Sequence, residues 1–192
     1  LDTSSLVAPD ELNGDLLLME SRTSVRRITC HLLEQGRTLP GFIGDISYAQ
    51  SNRERYEGFC QALADAGKKV DSSLCLTTPL GIDTYREEID TFLSSLSRMP
   101  DAFVCASDYV ACILMQLLEK RGLRVPEDVA VSGFDNNTED LLAEHLTTVQ
   151  VFNEELGARL ALQILYRIKY PNTPHEITYL GTNVLYRDST GD

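Results

Sequence analysis

Short apolar runs alternate with amphipathic helical stretches along almost the whole 192-residue chain. Residues 15–19 (Asp-Leu-Leu-Leu-Met) read as a strand. Residues 21–35 then place Val25, Ile28, Leu32 and Leu33 at helical spacing, closed by Gly36 at the C-cap position. Residues 40–43 form a second strand, with Pro40 tolerated at its start. The loop 44–50 runs into Ser51-Asn52-Arg53-Glu54, a capping-box pattern that opens a helix ending at Gly67. Residues 74–77 are a third strand. Thr84-Tyr85-Arg86-Glu87 is a second capping box, starting a helix with Ile89, Phe92, Leu93 and Leu96 on one face. A fourth strand, 102–106, leads into Ser107-Asp108 and a helix through Arg121, with Gly122 after it, and 129–132 is a fifth. The strand 147–151 precedes a helix capped by Asn153 and running through Tyr170, its inward stripe being Leu156, Leu160, Ile164, Leu165 and Ile168. Pro171-Asn172-Thr173-Pro174 breaks that helix, and 177–186 is strand-like. Strands and helices alternating at these lengths imply right-handed crossovers, so the expected class is α/β, a Rossmann-like parallel sheet flanked by helices.

Composition removes several functions. A formal charge of −12 argues against this segment gripping a nucleic-acid backbone, which needs clustered Lys and Arg, without excluding a basic segment elsewhere in a longer protein. No apolar run approaches the roughly 20 residues that a membrane helix requires. The opening Leu1-Asp2-Thr3-Ser4-Ser5 carries no signal-peptide pattern, and the missing initiator Met fits an N-terminus cut or omitted. The five cysteines lie in apolar stretches without a C-x-x-C pair, as in a reduced cytoplasmic protein. His31, His145 and His175 do not fall at metal-ligand spacing, and no cofactor is expected. With no G-x-G-x-x-G, P-loop or nucleophile elbow, the chain is expected not to be an enzyme.

The stretch 125–136 (Val-Pro-Glu-Asp-Val-Ala-Val-Ser-Gly-Phe-Asp-Asn) reads as a short buried strand that delivers Asp135 just past its carboxyl end. In an open parallel sheet ligands bind there, and a carboxylate with Asn136 and Asn137 beside it accepts hydrogen bonds from sugar hydroxyls or base N–H groups. The same residues equally suit an Asx-type turn in which Asp and Asn bond their own backbone.

Further segments carry a resemblance. His31-Leu32-Leu33-Glu34-Gln35-Gly36-Arg37 precedes Gly41-Phe42-Ile43-Gly44. Ser51-x-x-x-Arg55-x-x-Gly58-Phe59 is followed by Ala106-Ser107-Asp108-x-x-Ala111, the 125–136 stretch, Leu146-Thr147-Thr148-Val149 and Arg187-Asp188-Ser189-Thr190. In that order and spacing the sequence resembles the effector-binding domain of the lactose-repressor (LacI/GalR) family of bacterial transcription regulators.

The resemblance implies a periplasmic-binding-protein type I-like fold with an effector cleft between two lobes, the N-terminal lobe being largely missing here. Residues 1–19 would be a remnant of that lobe and 20–150 the C-terminal lobe. Residues 151–175 would cross back, and 176–192 would return as strand and tail. Arg55 matches the family's ligand-clamping arginine and Asp135 its acidic contact. Ser107 stands where the family's usual residue is Asn, and also suits an N-cap. Tyr48 offers a stacking surface, and Asn136 adjoins Asp135. Val151 stands where some members have a polar contact, and the loop 78–81 lacks their aromatic lid, Tyr85 being nearest. The implied function is effector sensing: a small metabolite, a sugar or sugar phosphate, bridges the lobes and shifts DNA-binding heads that this chain lacks. Operator DNA would be reached only through those heads, the protein would be cytoplasmic, and no membrane is involved. A homodimer is expected through Tyr85, Ile89, Phe92 and Leu141. The stripe on the helix 153–170 would lose its usual sheet and pack on a second copy or fold back over this lobe. The alternative is a transport-type periplasmic sugar-binding protein on the same fold.

Overall fold

The computed structural model describes residues 11–81, 83–137 and 144–192. The elements are β1 (Leu16–Met19), α1 (Arg22–Glu34), β2 (Pro40–Ile43), α2 (Gln50–Asp65), β3 (Cys75–Leu76), α3 (Tyr85–Ser95), β4 (Ala102–Cys105), α4 (Asp108–Lys120), β5 (Ala130–Ser132), β6 (Thr148–Gln150), α5 (Asn153–Lys169), β7 (Ile177–Leu180) and β8 (Asn183–Leu185). A four-stranded parallel sheet in the order β3-β2-β4-β5 forms the centre.

Side chains alternate across this sheet with the period of two that a pleated strand imposes. From β2 and β4, Phe42, Ala102 and Val104 meet Val25, Ile28, Leu32, Phe59 and Leu63 of α1 and α2. Their neighbours Ile43, Phe103 and Cys105 face Ile89, Leu93, Leu114 and Leu118 of α3 and α4. Both faces are therefore covered, the condition under which strands read as continuous apolar runs. Phe42, Phe59, Phe103 and Phe134 are fully buried, and each such burial contributes about 1.5–3 kcal/mol. Gly58 lets α2 cross close to α1: a Cβ there would lie 2.2 Å from the Arg22 carbonyl oxygen.

Beyond β5 the chain extends the sheet. Parallel bridges join Ser132 to Thr147 and Asp135 to Gln150, and β6 pairs antiparallel with β8. The Arg187–Thr190 segment locks this edge, since Ser189 Oγ donates to the Val131 carbonyl at 2.6 Å and accepts from the Thr147 amide at 2.8 Å. A separate two-stranded sheet pairs β1 and β7 in parallel. Asp15 fastens α5 to it by taking an ion pair from Arg167 and a 2.9 Å bond from Gln163. These donors hold the Asp15 carboxyl well below the usual range.

Several expectations need correcting. The helix at 50–65 begins at Gln50 with Ala49 as N-cap and no side-chain cap, so Ser51–Glu54 is not a capping box. Glu54 instead turns into the protein and accepts from the Tyr179 hydroxyl at 2.9 Å. Thr84 does cap α3 by position, but its hydroxyl bonds Glu88 rather than Glu87 serving as its partner. At α5 the N-cap is Phe152, and Asn153 is already helical. The third strand shortens to two residues because Asp71 draws Ser72–Leu74 into a 3-10 turn through the Ser73 amide. Residues 177–186 split into two strands serving different sheets.

The largest correction concerns α5. None of its residues is buried, and Ile164, Leu165 and Ile168 are exposed, so the stripe has not folded back over the central sheet. Leu156 lines a small cavity together with Leu17 and Leu18. Ile89 is fully buried between α3 and the central sheet, which removes it from the surface anchors expected for a dimer. Tyr85 and Phe92 are half-buried, and Leu141 lies outside the described residues.

Candidate functional site

The carboxyl ends of β2, β4 and β5 open onto one cleft of about 310 Å³. It is lined by Asp45, Tyr48, Asn52, Arg55, Tyr85, Ser107 and Asp135, among others. Arg55 projects from the second turn of α2 and is itself buried. Its guanidinium lies over the Phe134 ring, 3.7 Å from the centroid, and donates to the Ala106 carbonyl. Its Nη2 stands 3.5 Å from Asp135 Oδ1. A cation held between an aromatic face, a backbone carbonyl and a carboxylate has little freedom left, so its outer N–H groups point in set directions. Asp135 keeps 43% of its side chain exposed, so the pair opens toward the cleft.

Ser107 fulfils the N-cap expectation: its Oγ accepts from the Val110 amide at 3.3 Å, and the side chain still borders the cleft. Tyr48 is 72% exposed and also lines the cleft. Four of the five candidate residues (Arg55, Ser107, Tyr48 and Asp135) therefore share one cavity. Asn136 does not line it. Its side chain donates to Gln150 Oε1 and accepts from Arg187 Nη2 at 2.8 Å, which makes it a strut of the turn.

That turn is strained. Asp135 (φ 110°) and Asn136 (φ 51°) both take positive φ, which costs about 1–3 kcal/mol per residue and persists only where the surroundings over-determine it. The surroundings do so here. The Asp135 amide bonds the Val149 carbonyl at 3.1 Å, the Asn136 amide bonds Thr148 Oγ1 at 3.2 Å, and the Asn137 amide bonds Asp108 Oδ2 at 2.8 Å. Thus the acidic turn aims Asp135 into the cleft and bonds its own frame at the same time.

Two buried carboxylates, Asp45 in the cleft lining and Asp108 bonded to the turn that follows Asp135, were not proposed as site residues from the sequence. Asp45 collects the Ser47 amide at 2.8 Å, the Tyr48 amide at 3.1 Å and the Leu80 amide at 3.3 Å, and so shapes the loop carrying Tyr48. The spacing Gly44-Asp45-x-Ser47 was a legible Asx-turn signal. Asp108 accepts from Thr148 Oγ1 at 2.6 Å as well as from Asn137, and burial pushes its carboxyl up to about 6. In sequence it reads as an acidic residue in the first turn of a helix, within the Ala106-Ser107-Asp108-x-x-Ala111 segment, with no role assigned to it. A second small cavity joins Arg55 and Asp135 to Leu17, Leu18, Met19, Glu54 and Leu156. Burial raises the Glu54 carboxyl there despite the Tyr179 bond. Among the described residues no group of three or more His, Cys, Asp or Glu could hold a metal, and no helix is long and apolar enough to cross a membrane.

A parallel sheet whose carboxyl edge holds an arginine–aspartate pair in an open polar cleft defines a ligand-binding domain of the periplasmic-binding-protein type. The chain belongs to the periplasmic binding protein-like domain family, whose pattern residues 29–190 match. Its relatives are LacI-family transcriptional regulators. It is 35% identical over 130 residues to the HTH-type transcriptional regulator DegA of Bacillus subtilis, which covers 67% of this chain and 38% of that protein. It is 28% identical to the HTH-type transcriptional repressor PurR of Photobacterium profundum over 85% of this chain and 49% of that one. A solved transcriptional regulator CelR–cellobiose complex superimposes with a TM-score of 0.83 at 28% identity, covering 93% of this chain and 55% of that one. The chain thus spans about half, or less, of the length of these curated relatives.

Proposed function

We propose that this chain is the effector-sensing region of a bacterial transcriptional regulator and that its cleft binds a small sugar-like metabolite. The observation that carries the reading is the Arg55–Asp135 pair, 3.5 Å apart at the mouth of the cleft. Two neighbouring hydroxyls of a sugar match it, one accepting from the guanidinium and the other donating to the carboxylate, each a charge-assisted hydrogen bond. Ser107 and the Tyr48 ring supply a further polar contact and a stacking face. The CelR relative's complex with cellobiose supports sugar as the ligand class. Relatives described as HTH-type regulators favour this reading over transport-type sugar binding.

In this reading 20–150 is the C-terminal lobe. Residues 1–19 are a remnant of a second lobe, 151–175 cross back to it and 176–192 return as strand and tail, and closure of that lobe on the ligand shifts a two-state equilibrium. The rest of the protein supplies the DNA-binding heads, the molecule acts in the cytoplasm as a homodimer, and no bond is made or broken. The separate β1–β7 sheet, joined to the central sheet's edge by β6 and β8, supports the division.

A thermal-shift panel of cellobiose, ribose and their phosphorylated counterparts tests the site. At a sugar concentration one hundred times Kd, binding adds about 2.7 kcal/mol to stability. For the sugar giving the largest shift, Arg55→Ala and Asp135→Ala are each expected to abolish most of it. An undiminished shift in both would refute the assignment.

A further inference from the structure

We propose that Asp108 is a positioning residue of the cleft: its carboxylate ties the turn bearing Asp135 to strand β6, and taking up a proton there slackens the tie and weakens the grip on ligand. This rests on the sugar-binding reading above only where ligand affinity is concerned.

Three segments converge on this one carboxylate. Asp108 is the first residue of α4, and its own amide donates to the Phe134 carbonyl at 2.8 Å. Its Oδ1 accepts from the Thr148 hydroxyl on β6, and its Oδ2 from the Asn137 amide in the turn. The Thr148 oxygen in turn accepts from the Asn136 amide, so both amides that follow Asp135 end on Asp108, one directly and one through Thr148. Gly133 leaves room for this packing: a Cβ there would fall 2.2 Å from Asp108 Oδ1.

Protonation cannot leave this arrangement intact. A proton on Oδ2 puts a donor opposite the Asn137 N–H. A proton on Oδ1 forces the Thr148 hydroxyl to turn away, which reorganises the oxygen that the Asn136 amide uses. In either case a turn held at positive φ loses one of its restraints. Among the described residues the charged groups acting on Asp108 are Asp135, which opposes its ionisation, and Arg187, which favours it. Arg187 reaches the same turn through Asn136 and the Leu146 carbonyl. Burial brings the titration to about 6, within reach of ordinary pH changes.

The test reads the backbone amide shifts of Asn136 and Asn137 between about pH 4.5 and 8 in the whole chain without ligand. Both are expected to titrate together near pH 6 in the wild type, to titrate together at a lower pH in Asp135→Asn, where a charge opposing ionisation is gone, and to lose that step in Asp108→Asn. Thr148→Val removes a bond that favours the ionised form, so its midpoint should move upward. A step that survives in Asp108→Asn, or a Thr148→Val midpoint that stays still, would overturn the proposal. Cellobiose titrations at about pH 5 and pH 7.5 supply the second arm. Binding should be weaker at the lower pH, by at most about tenfold per pH unit, and this dependence should flatten in Asp108→Asn. The same pH dependence in both proteins refutes the positioning role. Absence of cellobiose binding counts against the ligand assignment alone, and the amide titration still decides whether Asp108 holds the turn.

Discussion

Gly58→Ala sets two physical effects against each other. Gly58 lies inside α2, where replacing Gly by Ala improves intrinsic helix stability by about 0.8–1 kcal/mol. Judged on propensity alone, the substitution stabilises. In the folded protein, however, the new Cβ would sit 2.2 Å from the Arg22 carbonyl oxygen, 3.0 Å from that carbonyl carbon and 3.2 Å from the Arg22 Cα. All three atoms are backbone at the start of α1, so no flexible side chain can swing clear. The two helices must move apart, which loosens contacts among Val25, Phe59 and Leu63. Overpacking of this kind costs typically 1–3 kcal/mol, and a backbone obstacle sits at the upper end. Subtracting the propensity gain leaves a net loss of about 1–2 kcal/mol, a fall in melting temperature of about 2–8 °C for a domain of this size. Urea unfolding followed by circular dichroism gives the free energy directly, with an unchanged slope indicating that stability alone has moved. A Gly58→Ala protein as stable as the wild type, or more so, would mean that α1 and α2 do not approach as described.

Ser107→Ala should lower stability by about 1 kcal/mol through loss of the cap on α4, read from the shift in urea midpoint. The linkage of Asp108 has a definite sign. Its folded-state value, about 6, is above the unfolded 3.8, so its contribution to stability is fully present at low pH and is lost as pH rises through about 6. Two pH units correspond to about 3 kcal/mol, so the stability difference between wild type and Asp108→Asn should change by up to that amount between about pH 4 and pH 7. A difference independent of pH would show that Asp108 titrates as an exposed carboxyl does.

Element types and order were legible because each depends on neighbours a few residues away. Val25, Ile28 and Leu32 recur at helical spacing, and positive φ at Gly36, Gly67 and Gly122 marks the places where three helices stop. Helix starts were less legible. Ser51-x-x-Glu54 has the letters of a capping box, but burial against Tyr179 commits Glu54 to the interior, a long-range fact that no local pattern contains. The fold-back expected of the α5 stripe over this lobe fails for a related reason. Periodicity shows that Ile164, Leu165 and Ile168 share a face, whereas whether another surface covers that face depends on what the rest of the molecule presents.

The candidate site divides along the same line. Asp135 stands out in sequence because a strand end places it, Arg55 and Ser107 because the family resemblance marks them, and the sheet order then brings all three to one edge. Asn136 shared their signal but not their place, since Gln150 and Arg187, 14 and 51 residues away, claim its side chain. Asp108 is the reverse case, part of a segment that carries the resemblance but without a role until folding sets Thr148 and Asn137 against it. Thus the pattern of residue types alone determined the α/β class and the succession of elements and offered Asp135 as one of two readings of its turn, because hydrophobic period and turn chemistry are local; Arg55 came forward only through the family resemblance. Only the tertiary structure decided which polar groups face the cleft and which hold its frame, because a buried carboxylate takes its role from partners that the chain brings from far away.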